Sequence, residues 1–251
     1  MPKLIILGSS NAIPDLEHEN THMAFVGQER RILVDCVNNP IVRLKQAGID
    51  IHELTDLLLT HFHPDHVSGV PSLLMNSWLL GRKAPLNIYG LDYTLERIQK
   101  LMHFYDWETW PNFFPVNFVS LPEEEMTPVL ESREMRFFAS PVEHLVPTIG
   151  LRVEFPQSGK VLAYSCDTEP CPQVVRLASG ADVLIHEATG DTLGHSSAAQ
   201  AGEIARQAEV GKLLLIHYQT GDFDARQLMK QARQTFAGEV GLAEDFMQLE
   251  F

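Results

Sequence analysis

The six residues His61-Phe62-His63-Pro64-Asp65-His66 constrain this chain more than any other stretch. They place three imidazoles and a carboxylate directly after the largely apolar run from Leu54 to Thr60, which reads as a buried strand. Whatever the fold, four polar, proton-exchanging side chains must sit at the end of an apolar element. Desolvating them is costly unless each finds a partner. A cation answers that cost for all four. Imidazole nitrogen and carboxylate oxygen suit zinc, and manganese or iron less strictly.

Composition narrows the setting. A length of 251 residues fits one large domain or two small ones. No low-complexity linker and no internal repeat divides it, so one domain over residues 1–251 is expected. A hydrophobic content of 45% can fill a substantial core. No apolar stretch approaches the roughly 20 residues of a membrane span, and the opening Met1-Pro2-Lys3 does not lead into a signal peptide. Cys36, Cys166 and Cys171 cannot all pair and lack zinc-ribbon spacing, which points to a reducing cytoplasm. The formal charge of −14, with only 19 scattered Lys and Arg, argues against a grip on a long nucleic acid.

Strand-like segments punctuated by Gly, Pro and Asn fall at Leu4–Leu7, Ala24–Val26, Ile32–Val34, Leu57–Leu59 and Ile88–Gly90. Helices are expected over Pro40–Ala47, Val67–Leu80 and from Asp92 to about Met102. The aromatic segment Trp107–Pro115 reads as a loop, either over a pocket mouth or as a packed connector. Glu123-Glu124-Glu125 reads as a solvated turn. The second half repeats the rhythm, with strands at Met135–Ala139, Ile149–Phe155, Val161–Tyr164, Val183–Ile185 and Leu213–Ile216. Helices are expected from Ser196, a fair N-cap, and from Asp224 to about Phe236. Two halves of strands with outer helices give an α/β fold, a four-layer αββα sandwich with sites at strand ends.

Three more polar residues each follow an apolar strand: His144 after residues 137–143, Asp167 after Val161–Cys166, and His217 after Leu213–Ile216. A polar side chain just past a strand sits at the sheet edge, where loops build sites. Together with the first motif these supply enough donors for two adjacent divalent cations, and a carboxylate can bridge such a pair.

This set resembles that of the metallo-β-lactamase-fold hydrolases, over nearly the whole chain. The resemblance implies that His61, His63 and His144 hold one metal and that Asp65, His66 and His217 hold the second. Asp167 bridges both, and Asp35 supports the His loop without binding. Further motifs resemble the ribonuclease Z branch: Ile185-His186-Glu187-Ala188-Thr189, Gly194-His195-Ser196-Ser197, Leu7 to Pro14, His144 with Val146-Pro147, and Asp167-Thr168. By that resemblance the catalytic residues are Asp65, His195 and Glu187, with His195 protonating the leaving oxygen and Glu187 holding its tautomer. The implied reaction is in-line hydrolysis of a phosphodiester with two divalent ions, zinc foremost.

The sequence also departs from that branch. The long Gly-Pro-rich arm that grips transfer RNA belongs between the residues matching His144 and Asp167, and here only 23 positions separate them. Leu151 to Val161 reads as a plain hairpin. Asp35-Cys36-Val37 and Tyr218-Gln219-Thr220 replace the family's usual Asp-Cys-Gly and its Ser- and Arg-rich turn. A cyclic or otherwise small phosphodiester, or an RNA end, is therefore expected as substrate in preference to transfer RNA, with a homodimer open and no membrane partner. The alternatives are a full tRNA 3′-processing endonuclease, another hydrolase on the same scaffold (lactonase, thioesterase, arylsulfatase, lactamase), or a binding module. His18, His22, His52, His103 and His186 receive no role, although His22 is close enough in sequence to line a pocket.

Overall fold

Short apolar segments separated by Gly and Pro fold as alternating strands and helices. The computed structural model describes every residue except Asp222. The first half runs β1 (Lys3–Gly8), β2 (His22–Val26), β3 (Arg31–Val34), α1 (Pro40–Gln46), β4 (Asp56–Leu58), α2 (Pro64–Val67), α3 (Val70–Leu79), β5 (Leu86–Leu91), α4 (Asp92–His103) and β6 (Val116–Leu121). The second half runs β7 (Thr127–Glu131), β8 (Arg136–Val142), β9 (Thr148–Phe155), β10 (Lys160–Tyr164), α5 (Pro172–Leu177), β11 (Val183–Glu187), α6 (Ala198–Gln207), β12 (Lys212–Ile216), α7 (Arg226–Ala232), β13 (Glu239–Leu242) and β14 (Gln248–Glu250).

Among the described residues the strands form two seven-stranded sheets, ordered β14-β1-β2-β3-β4-β5-β6 and β13-β12-β11-β10-β9-β8-β7. Their facing sides bury one apolar layer. Ile6, Phe25 and Val34 come from one sheet, Phe137, Leu151 and Ile185 from the other, and the Phe25 and Phe137 rings meet edge to face 4.9 Å apart. The outer face of the first sheet is covered by α1, α3 and α4 through Leu44, Leu73 and Ile98. The outer face of the second is covered by α5, α6 and α7 through Val174, Ala201 and Leu228. This is the four-layer αββα sandwich expected from the sequence. None of the described helices is long and apolar enough to cross a membrane.

Several elements differ from the sequence reading, each for a physical reason. The helix expected over 67–80 is split at Ser68-Gly69 into α2 and α3. Gly69 lies against the backbone of Val37, where a Cβ would come within 2.7 Å of Val37 O, and its N–H donates to Cys36 O at 2.9 Å. Ser197, not Ser196, caps α6, in a reciprocal pair with Gln200. The helix expected from Asp224 starts at Arg226 and is regular only to Ala232. Strands β6, β7, β13 and β14 and helix α5 were not foreseen. β7 carries Pro128 and a register shift, which only an edge position tolerates. β14 exists because it pairs antiparallel with β1, nearly the whole chain away in sequence. The Trp107–Pro115 segment is a packed connector: Trp110 stacks on Trp78 at 5.0 Å and Trp78 Nε1 donates to Pro111 O. Glu123-Glu124-Glu125 is an exposed turn, as expected, with Glu125 paired to Arg176.

Candidate metal centre

The polar residues converge because the strands that precede them run the same way. β3 and β4 are parallel, so Asp35 and the His61–His66 segment leave the first sheet at one edge. β10, β11 and β12 are mutually parallel, and β8 runs with β10 because both are antiparallel to β9. Residues 144, 167, 187 and 217 therefore emerge at one edge of the second sheet. Three of the turns adopt the left-handed backbone with non-glycine residues, at Asp35 (φ 59°), Cys166 (φ 55°) and His217 (φ 53°). Such strain persists only where the surroundings fix it. At His217 they do so through its N–H, which donates to Ser9 O at 2.9 Å.

Two donor groups meet at this edge. In the first, His63 Nδ1 lies 3.0 Å from His61 Nε2 and 3.2 Å from His144 Nε2. In the second, Asp65 Oδ2 lies 3.4 Å from His217 Nε2 and 3.7 Å from His66 Nε2. Asp167 Oδ2 stands between the groups, 3.4 Å from both His66 Nε2 and His217 Nε2 and 4.0 Å from His61 Nε2. All seven residues named from the sequence thus lie in one cluster.

Outer partners aim these rings. Asp35 Oδ2 accepts from His66 Nδ1 at 2.8 Å, and Thr60 Oγ1, which donates to Asp35, accepts from His61 Nδ1 at 3.1 Å. Thr189 Oγ1 donates to His217 O and accepts from His217 Nδ1, both at 2.9 Å. Gly194 O accepts from His144 Nδ1 at 2.6 Å. In each of the four rings the Nδ1 proton is used outward, leaving Nε2 bare toward the centre. His61 Nε2 and His144 Nε2 therefore both turn lone pairs to His63 Nδ1, which has at most one proton to give. The buried atoms His66 Nε2, His217 Nε2 and Asp167 Oδ1 have no hydrogen-bond partner. Bare, unpartnered imidazole nitrogens 3.4 Å from a buried carboxylate oxygen, Asp167 Oδ2, are what a divalent cation satisfies. The residues fit the metal that the sequence motif called for.

The charge balance agrees. Burial, first of all, holds His61, His63 and His144 below the ordinary imidazole value, in the neutral form that binds a cation. Burial also opposes ionisation of Asp167, yet His217 and His66 outweigh it and hold the carboxyl well below its usual range. His66 moves the other way: burial is outweighed by Asp167 and Asp35, which raise its pKa. A cation beside Nε2 would supply the positive charge that those two carboxylates favour there.

His195 and Glu187 form a second layer. His195 Nδ1 donates to Glu187 Oε1 at 3.1 Å, and its ring lies 5.0 Å from that of His144 and 5.8 Å from that of His217. Glu187 is fully buried and also accepts from the backbone N–H groups of Thr168, Thr189 and Ser196, at 3.3, 2.8 and 2.8 Å. Burial would lower the His195 pKa, but Glu187 outweighs it and raises it. The shift favours the protonated ring, the form that has a proton to donate. Ser196, expected as the helix cap, is buried instead, with its Oγ donating to Thr168 O at 2.7 Å.

Sequence reasoning assigned no role to Thr60, Thr189, Gly194 or Glu169. A hydroxyl immediately before the first His, and another closing the His186-Glu187-Ala188-Thr189 motif, were the available signals. His22 belongs to none of the donor clusters: it is fully buried in β2, its Nδ1 donates to Asn20 O, its Nε2 has no hydrogen-bond partner, and burial pushes it down to a pKa of about 4.

Comparison with known proteins gives the same picture. The profile of the Beta-lactamase superfamily domain matches residues 30–218. Ribonuclease Z of Methanothermobacter thermautotrophicus is 27% identical, with all of this chain and 97% of that protein aligned. The crystal structure of the metallo-β-lactamase fold protein YhfI from Bacillus subtilis superposes with a TM-score of 0.85 at 23% identity, covering 100% of this chain and 99% of the other. Human tRNase Z, short form, superposes with a TM-score of 0.77 at 24% identity, covering 99% and 98%. Divalent metal binding is the common chemistry of this family, and the clustered His and Asp residues are its counterpart here. The chain belongs to the β-lactamase superfamily, as a ribonuclease Z-like, metal-dependent hydrolase of the metallo-β-lactamase fold.

Proposed function

We propose that this protein is a phosphodiesterase that works with two divalent ions, zinc foremost, on a small substrate: a cyclic nucleotide, a cyclic phosphate or a short RNA end. The observation that carries the reading is the pairing of the seven-donor cluster with the Glu187-held His195 beside it. His61, His63 and His144 would hold one ion, Asp65, His66 and His217 the other, with Asp167 shared. When bound, such ions neutralise charge on the diester oxygens and make a water nucleophilic. The chain's own groups do the rest. Glu187 holds the His195 Nδ1 proton, which leaves Nε2 to give its proton to the departing oxygen. Asp35, Thr60, Thr189 and Gly194 keep the ligand rings from turning.

Three features support a small diester over transfer RNA. Between His144 and Asp167 stands only the β9–β10 hairpin, closed tightly from Phe155 to Lys160 around Gly159 at φ 70°. The alignment with the archaeal ribonuclease Z runs over 305 positions against 251 residues here, so that relative carries segments this chain lacks. The groove beside His144 is lined by Glu123, Glu143 and Glu169 and by no Lys or Arg among the described residues. A polyanion would be repelled there. β1 and β14, outside the matched segment, complete the first sheet, which supports one domain across the chain. Three unpaired buried cysteines support a reducing, cytoplasmic setting.

The test is a side-by-side rate assay on bis-p-nitrophenyl phosphate, a 2′,3′-cyclic nucleotide, pre-tRNA, a lactone and an aryl sulfate, with metal analysis of the same sample. Fastest turnover on a small diester, with close to two ions per chain, is expected. Efficient, strongly salt-dependent cleavage of pre-tRNA would overturn the substrate assignment. Preference for the lactone or sulfate would overturn the phosphodiesterase reading.

A further inference from the structure

One peptide group touches both halves of the site. Gly194 O accepts the His144 Nδ1 proton at 2.6 Å, and the next residue in the chain is His195. The N–H of the same Gly194 donates to Glu169 Oε1 at 2.8 Å. Glu169 is itself tied to the His144 loop, because its backbone N–H donates to Glu143 O at 2.7 Å. There is no slack at residue 194: φ is +81°, and a Cβ would stand 3.0 Å from His144 Nδ1 and 2.9 Å from Leu145 Cγ. Residues 194, 195 and 196 are thus held in turn by two carboxylates, Gly194 by Glu169, His195 and Ser196 by Glu187. Glu187 is walled in, whereas Glu169 is half-buried and lines the groove beside His144.

From this geometry we infer that Glu169 is a positioning residue: by fixing the Gly194 peptide it sets the tautomer and aim of His144 and the reach of His195 together. The kinetic part of this inference rests on the phosphodiesterase reading, and the metal-binding part does not. What Glu169 contributes is an acceptor oxygen at a set reach, so Gln can replace it and Ala or Asp cannot. Ala has no acceptor, and Asp is one methylene short.

Three variants of the full-length, metal-loaded protein test this: Glu169→Ala, Glu169→Asp and Glu169→Gln. Two readouts are taken on each: kcat and KM on a small phosphodiester, and metal retention against a competing chelator. Outer partners of ligating histidines are typically worth about 10–100-fold in affinity or rate. Ala and Asp should each lower kcat by about 10-fold or more with KM little changed, and weaken retention of the more loosely held ion in that range. Gln should restore most of both. Wild-type kcat and retention in Glu169→Ala would overturn the inference, even if its melting temperature fell. So would a Gln variant as impaired as Ala, since that would make the charge, not the acceptor, the active feature. If the wild-type protein turns over no diester, the proposed function fails while chelator retention still decides the role of Glu169.

Discussion

Replacing His195 by Ala separates proton donation from everything else the site does. The structure sets the structural cost. His195 is one of four groups donating to the buried Glu187 carboxylate, so three backbone donors remain after its removal. Losing one hydrogen bond to a charged acceptor costs about 1–3 kcal/mol. In a chain of 251 residues that lowers the melting midpoint by about 2–4 °C per kcal/mol, a shift that leaves the protein folded. The ligand rings of His144 and His217 keep their own outer partners, Gly194 and Thr189, so metal content should not change. Turnover should change. General acid help and stabilisation of the reacting phosphate are each worth about 10²–10³-fold. The full loss is expected on a diester with an alkoxide leaving group. With p-nitrophenolate, which departs without a proton, the loss should shrink to about 10-fold or less. The assay is kcat/KM on a series of diesters of graded leaving-group pKa, with metal analysis on each sample. A slope unchanged from wild type would refute the acid role and leave His195 as a phosphate binder. Unchanged rates with metal retained would remove the ribonuclease Z-like mechanism altogether.

Three other outcomes are expected. Asp167→Ala should cost more metal and more activity than any single His→Ala, because its Oδ2 stands between both donor groups; a variant that keeps its metal content by elemental analysis and near-normal turnover would exclude a bridging role. Thr189→Val should lower metal affinity at His217 by about 10–100-fold in chelator competition, because the methyl can neither accept from Nδ1 nor donate to His217 O. Ser197→Ala should cost about 1 kcal/mol in chemical denaturation through the lost N-cap of α6, leaving metal content intact, whereas an equal loss of metal would mean that the cap also holds the His195 loop.

The sequence by itself determined the parts of this protein that are local. H-x-H-x-D-H announces a cation site because four such groups at a strand end have no other economical partner. His144, Asp167 and His217 were legible because each stands just past an apolar run that could only be a buried strand. The alternation of those runs with amphipathic segments was enough for the αββα order. The helix break at Gly69 escaped it, since what stops the helix is the backbone of Val37, thirty-two positions away. β14 escaped for the same reason, its partner being β1 at the other end of the chain. Half-exposed edge strands such as β6 escaped because Asn117 and Ser120 break the apolar pattern without breaking the strand. Only the tertiary structure decided which nitrogen of each ring faces inward. That choice rests on Thr60, Asp35, Thr189 and the Gly194 carbonyl, ordinary residues whose role depends on where folding brings them. A side chain's identity states what it can bind, but the partner on its far side, supplied by another strand or loop, fixes which atom is left to bind.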